Sequence, residues 1–94
     1  MDVKVQQDEN ARKFYAEVDG HEAVVEYVKM GDAYNLLHTY VPEELRGQGV
    51  ADRLVQGTLE EIKRQGAYFL PSCAFVQTFL KRHPGYREGI AQAG

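Results

Sequence analysis

The fold of this chain is decided by residues 41–51, which read Val-Pro-Glu-Glu-Leu-Arg-Gly-Gln-Gly-Val-Ala. Extended structure is predicted before this stretch and a helix after it. Gly47 and Gly49 let the backbone turn tightly and approach a ligand without a Cβ in the way. Backbone amides here, with the helix N-terminus behind them, can hold an anion, and Arg46 can add a bidentate contact to phosphate oxygens. An ordinary strand-to-helix turn that needs glycine only for its shape fits the glycine spacing equally well.

The first 41 residues favour extended structure. Val3 and Val5 alternate with polar neighbours, and a longer alternation follows, which is the two-residue period of a half-buried strand. Asp19-Gly20 predicts a tight hairpin turn, because glycine tolerates the positive φ that such turns need, and Gly31-Asp32 predicts a second turn. Three clear strands are predicted, over residues 14–18, 22–30 and 33–41. They should form an antiparallel meander.

The segment after the turn contains two helices and one strand. Apolar residues at helical spacing predict a helix from Gly49 to Gln65, with a glycine just beyond its end. A short apolar strand over Ala67–Leu70 follows, and Pro71 ends it. Ser72 should cap a second helix over Cys73–Arg82. The predicted order is β-β-β-α-β-α, an α+β (α/β mixed) fold with a mostly antiparallel sheet flanked by two helices.

Composition narrows the class of protein. The chain has 94 residues, which fit one compact domain over residues 1–94, and its formal net charge of −3 argues against a nucleic-acid partner. We expect no membrane partner and a cytoplasmic location, because there is neither an apolar signal segment nor a run of about 18 apolar residues. One cysteine excludes an intrachain disulfide and, with three scattered histidines, predicts no metal site.

Residues 41–51 resemble the acetyl-CoA signature of the GNAT superfamily of N-acetyltransferases. The signature reads Arg/Gln-x-x-Gly-x-Gly/Ala, and Arg46, Gly49 and Ala51 match it. The resemblance implies that acetyl-CoA or CoA is the cofactor, with its pyrophosphate on the turn and its pantetheine arm paired with the preceding strand. It assigns the cofactor contacts to Val41, Arg46, Gly47, Gln48, Gly49, Val50 and Ala51.

A second stretch resembles the compact single-domain, YjdJ-like branch of the same superfamily. It consists of Leu70-Pro71-Ser72-Cys73-Ala74-Phe75-Val76 and then Arg82-His83-Pro84-Gly85-Tyr86, so the resemblance covers about residues 10–90 and implies a GNAT-like fold. Many larger members place a tyrosine seven residues after an asparagine, where it protonates the departing thiolate. With Cys73 at the asparagine position, Leu80 stands where that tyrosine would be, so the usual acid is absent.

Cys73 is the first candidate for the missing chemistry. In the first turn of the predicted helix, the helix dipole and free N–H groups favour a thiolate. The side chain could donate a proton to CoA or carry the acetyl group transiently. Packing alone is the alternative, because free cysteine is among the most buried residue types. The functional interpretation gains support from the resemblance, since the branch has cysteine at this position.

His38 is the second catalytic candidate. Strand alternation places it on the same face as Leu36 and Tyr40, where a neutral imidazole could take a proton from an incoming amine. A packed or exposed histidine without a catalytic role is the alternative. Tyr86 could be another acid, although docking against the last helix explains it better. His83 is expected to cap the last carbonyls of that helix.

These observations lead to three hypotheses for function. The first is an acetyl-CoA-dependent N-acetyltransferase that moves an acetyl group to a primary amine of a small molecule or peptide. The second is a module that binds CoA or acyl-CoA with little or no turnover, which the missing tyrosine favours. The third is a protein-interaction domain that uses the edge of the meander for strand pairing. A monomer or a weak homodimer is expected in each case.

Overall fold

A five-stranded sheet forms one layer of the molecule in the computed structural model, which describes residues 3–92. The strands lie side by side in chain order. They are β1 (Gln6–Asp8), β2 (Lys13–Val18), β3 (His21–Met30), β4 (Ala33–Tyr40) and β5 (Tyr68–Pro71). The first four are antiparallel to their neighbours, and β5 runs parallel to β4. The predicted mostly antiparallel α+β fold is therefore confirmed.

Two helices pack against one face of this sheet. Helix α1 (Val50–Arg64) connects β4 to β5, and helix α2 (Ala74–Arg82) follows β5. Short 3-10 helices cover Glu43–Leu45 and Pro84–Gly89. Apolar side chains from both helices and from alternate strand positions form one buried cluster. Among residues 3–92, no helix combines the length and the apolar character needed to cross a membrane.

The predicted order is one strand short, because four strands rather than three precede α1. Strand β1 has only three residues, too few to show a two-residue period. Side-chain contacts hold it in place: the Gln7 amide donates to the hydroxyls of Tyr27 (2.9 Å) and Tyr34 (3.1 Å) and accepts from Gln65 (2.8 Å). These partners lie far away in sequence, so local alternation could not predict the strand.

Strand β4 contains a β-bulge that changes which residues share a face. Tyr27 of β3 pairs with Leu36, and the preceding residue Glu26 pairs with His38, so Leu37 has no partner on β3. Beyond this extra residue the alternation is shifted. Leu36 faces the helices and His38 faces the opposite, open side of the sheet. The prediction that these two side chains share a face is therefore wrong, whereas His38 and Tyr40 do share one.

The start of α2 also differs from the prediction. The helix begins at Ala74 with Cys73 as its N-cap residue, and no side chain caps it. The Ser72 hydroxyl instead donates to the Asn35 side-chain oxygen at 2.6 Å, so the predicted capping role is wrong. Pro71 is itself the last residue of β5 and pairs with Leu36. The prediction placed the end of the strand at Leu70, with Pro71 outside it.

Candidate cofactor site

The turn after β4 holds its two glycines in the left-handed region. The buried side chain of Leu45 fixes the preceding 3-10 helix to the core. Gly47 then has φ of 80°, and Gly49, the N-cap of α1, has φ of 77°. A Cβ built on either glycine meets no protein atom within 4 Å. Glycine is thus required by the backbone conformation, and the space in front of both residues is open to a ligand.

Backbone amides at the start of α1 point out of the N-terminal end of the helix, which Gly49 caps. The amide of Arg53 donates to the carbonyl of Gly49 at 3.2 Å, and this is where the helical hydrogen bonding begins. The amides of Val50, Ala51 and Asp52 precede it, so they have no acceptor within the helix. Together with the helix dipole they provide a positive field suited to a phosphate group.

Two side chains of the turn are held by backbone carbonyls. Arg46 donates from Nε to the carbonyl of Val41 at 3.1 Å, which fixes its guanidinium beside the end of β4. Four of its five N–H donors remain for other acceptors. Gln48 donates to the carbonyl of Glu44 at 3.1 Å, so its side chain folds back onto the protein. Of the two, Arg46 is the one placed to add a phosphate contact.

A cavity of about 270 Å³ extends from this turn to α2. Five of the seven predicted cofactor residues line it: Val41, Arg46, Gly47, Gly49 and Ala51. Val50 instead lies in the core, with 1 % of its surface exposed, and Gln48 is outside the lining. Leu45, Asp52, Phe75 and Arg82 complete the wall, and the sequence analysis did not assign them to the site. Leu45 belongs to the first motif, and Phe75 and Arg82 belong to the second.

Cys73 is not among the residues that line this cavity, and it follows the point where the pairing of β4 with β5 ends. Pairing between the two strands stops at Leu36 and Pro71. Beyond that point the Cys73 thiol contacts the Thr39 hydroxyl at 3.3 Å, and 4 % of the cysteine surface is exposed. Val41 and Phe75, each two residues further along the chain, line the cavity. Cys73 is therefore buried against β4, two residues before Phe75 of the cavity wall.

The structure does not bring His38 and Cys73 together. His38 is exposed on the open face of the sheet opposite Glu26, whereas Cys73 contacts Thr39 on the helix-covered face. Consecutive strand residues lie on opposite faces, and the bulge at Leu37 decides which face each takes. His38 pairs with exposed Glu26, and Thr39 pairs with buried Val25.

Tyr86 and His83 dock the C-terminal segment onto α2. The Tyr86 hydroxyl donates to Glu60 at 2.7 Å, and this hydrogen bond raises the pKa of Tyr86. Its ring centroid lies 5.4 Å from that of Phe79. The backbone amide of His83 caps α2 by donating to the carbonyl of Phe79 at 2.9 Å. Leu80 is buried in the core.

The chain matches a family model described as GCN5-related N-acetyl-transferase over residues 13–89. This chain belongs to the GCN5-related N-acetyltransferases. The match includes the glycine turn, Cys73 and α2, so the GNAT resemblance of the sequence is confirmed. Both motifs that suggested the family lie within one continuous match, and the cavity described above lies between them.

The chain is also similar to individual proteins. The chain is 31% identical to Protein NATD1 of Bos taurus over 85 residues, covering 87% of this chain and 75% of that protein. It is 30% identical to Protein NATD1 of Danio rerio over 93 residues, covering 94% and 84%. The solution structure of a GCN5-like protein from Staphylococcus aureus superposes with a TM-score of 0.69 at 26% identity, covering 98% of this chain and 91% of that one.

Proposed function

We propose that this GNAT protein is an acetyl-CoA-dependent N-acetyltransferase that moves an acetyl group to a primary amine. The observation that carries the proposal is the cavity between the N-terminus of α1 and α2, which five of the seven predicted cofactor residues line. Its wall includes the glycine turn and Arg46, both suited to phosphate oxygens, and Phe75, which lies two residues after Cys73. That arrangement suits a ligand with an anionic head and a reactive tail.

The residues present fit acetyl-CoA. The amides at the start of α1 and the guanidinium of Arg46 would hold the pyrophosphate, since both are donors to anionic oxygen. Past Leu36, the edge of β4 that faces β5 is released from strand pairing. The carbonyl of Val41 already accepts from Arg46, so the backbone groups of residues 37–40 on that edge are the ones that would meet the amides of a pantetheine arm. The apolar wall of Val41 and Phe75 suits its methylene groups.

Transfer requires a proton for the departing thiolate and removal of one from the amine. The acetyl-CoA thioester supplies the acetyl group. Cys73 at the N-cap of α2 would give its thiol proton to the CoA sulfur and be reprotonated from solvent, or attack the carbonyl first and hold the acetyl group until the amine displaces it. His38 would accept the amine proton if the acceptor approaches from the open face.

The acceptor and setting belong to the same proposal. The cavity is shallow and the second sheet face is open, which suits an exposed amine on a peptide, a protein or a small polyamine. Because a single cysteine forms no intrachain disulfide, a reducing, cytoplasmic setting is favoured. We propose a monomer or a weak homodimer.

A second candidate function is a CoA-binding module with little or no turnover. Two observations favour it: Leu80, at the position of the usual acid, is buried in the core, and Cys73 is nearly covered by its neighbours. Under this hypothesis the thiol only packs against Thr39. The same cavity binds the cofactor in both cases, so the two functions differ in chemistry and not in affinity.

Calorimetry and an acetylation assay test the proposal together. The wild type should bind acetyl-CoA and acetylate at least one amine among lysine peptides, polyamines and aminoglycosides. Cys73→Ala should keep the affinity for acetyl-CoA and lose acetyl transfer to the amine. Cys73→Ser is the matched polar control, because serine is closer in volume to cysteine than alanine is. Mass spectrometry after acetyl-CoA addition detects an acetyl group on Cys73 if the residue is a nucleophile. Binding without acetylation of any amine would favour the module.

A further inference from the structure

Arg82 makes a bidentate ion pair across the mouth of the cofactor cavity. Its Nη1 and Nη2 atoms donate to the two carboxylate oxygens of Asp52 at 3.0 and 2.7 Å. Asp52 lies in the first turn of α1, and Arg82 is the last residue of α2. Both side chains line the cavity, so the pair connects α2 to the phosphate-binding end of α1.

The charges around the cavity explain why this pair matters for an anion. Two guanidinium groups, Arg46 and Arg82, and one carboxylate, Asp52, are found among the described residues that line it. An unpaired Asp52 would repel a phosphate at the start of α1. The bidentate contact uses two of the five N–H donors of Arg82 and neutralises the carboxylate. Three donors remain on a guanidinium that is about half exposed.

We propose that Arg82 is a second guanidinium that binds the pyrophosphate of CoA, held in position by Asp52. This inference rests on the proposed function, because it assumes that a CoA ligand occupies the cavity. Arg46 approaches the ligand from the end of β4 and Arg82 from α2, so the pyrophosphate would be held between them over the amides of α1. The fork geometry of the Asp52 contact fixes the guanidinium plane before the ligand arrives, which lowers the entropy cost of binding.

Isothermal titration of Arg82→Gln with CoA and with 3′-dephospho-CoA tests this role. We expect the dissociation constant to rise about tenfold or more with both ligands, because a charged donor to phosphate is lost. Arg64→Gln is the matched control: Arg64 is also exposed and paired with an acid, Glu61, but lies at the far end of α1 outside the cavity. It removes the same charge and should leave both constants unchanged. Melting temperatures check that each variant is folded.

A second comparison tests whether Arg82 contacts the phosphates directly or only neutralises the charge of Asp52. In an Asp52→Asn background no carboxylate needs neutralising, so Arg82→Gln should still weaken CoA binding if Arg82 touches the phosphates. No weakening in that background, or a loss confined to CoA and absent with 3′-dephospho-CoA, would overturn the pyrophosphate assignment. Failure of the wild type itself to bind CoA would instead overturn the proposed function.

Discussion

Replacing Gly49 by alanine measures how much of the phosphate turn is required by the backbone and how much by a ligand. Gly49 has φ of 77°, where a Cβ costs about 1–2 kcal/mol. The added Cβ meets no protein atom within 4 Å, so backbone strain is the only folding cost. We expect the free energy of unfolding to fall by about 1–2 kcal/mol, with a drop in Tm of about 4–8 °C for each kcal/mol.

The same methyl group would stand in the space that a phosphate needs, so CoA affinity should fall as well, by about tenfold. Gly66→Ala is the control, because Gly66 has φ of 73° and an equally open Cβ position at the other end of α1. Urea unfolding should show similar losses for both variants, and calorimetry should show a loss of CoA affinity for Gly49→Ala alone. If the two variants bind CoA equally well, the turn does not hold the pyrophosphate.

Two further predictions concern contacts outside the site. Tyr86→Phe should be less stable than the wild type by about 0.5–1.5 kcal/mol at neutral pH, because the hydrogen bond to Glu60 is lost. The hydrogen bond to Glu60 raises the pKa of Tyr86. Its contribution to the free energy of unfolding is therefore full below about pH 10 and disappears as the pH rises through the folded-state pKa. Urea unfolding of wild type and Tyr86→Phe at several pH values tests this, and a stability difference that stays constant with pH would contradict it. Gln7→Ala should cost about 1–3 kcal/mol, because the buried hydroxyl of Tyr27 loses its donor. Hydrogen exchange should then show lower protection in β1, and unchanged protection would mean that Gln7 does not hold the strand.

Elements with local signals could be predicted from the sequence. The hairpin turn was predicted from Asp19-Gly20, and both residues have positive φ, 51° and 78°. The apolar spacing predicts helix α1 over its full length, with one extra residue at each end, because the buried face repeats along four turns. The glycine turn was likewise visible, since glycine at 47 and 49 is demanded by the backbone itself. In each case the cause lies within a few residues of the effect.

Features set by distant partners could not be predicted in this way. Ser72 is a good capping residue by type, but Asn35, which lies 37 positions earlier, accepts its hydrogen bond. Asp52 lies in the first turn of α1, and its partner Arg82 is 30 positions away. Neither contact leaves a pattern in the local sequence, because each arises only when β5 and α2 pack beside β4 and α1.

The bulge at Leu37 has the largest consequence for chemistry. It places Thr39, and with it the Cys73 contact, on the helix-covered face, and His38 on the open face. A thiol on one face and an imidazole on the other can serve the same reaction only if the reacting carbonyl lies between the faces. Such a position would have to lie where β4 and β5 stop pairing, after Leu36 and Pro71. There a departing sulfur would leave toward Cys73 and an amine would enter past His38. Use of both residues in one transfer would therefore require the cofactor and the acceptor to approach from opposite sides of the sheet.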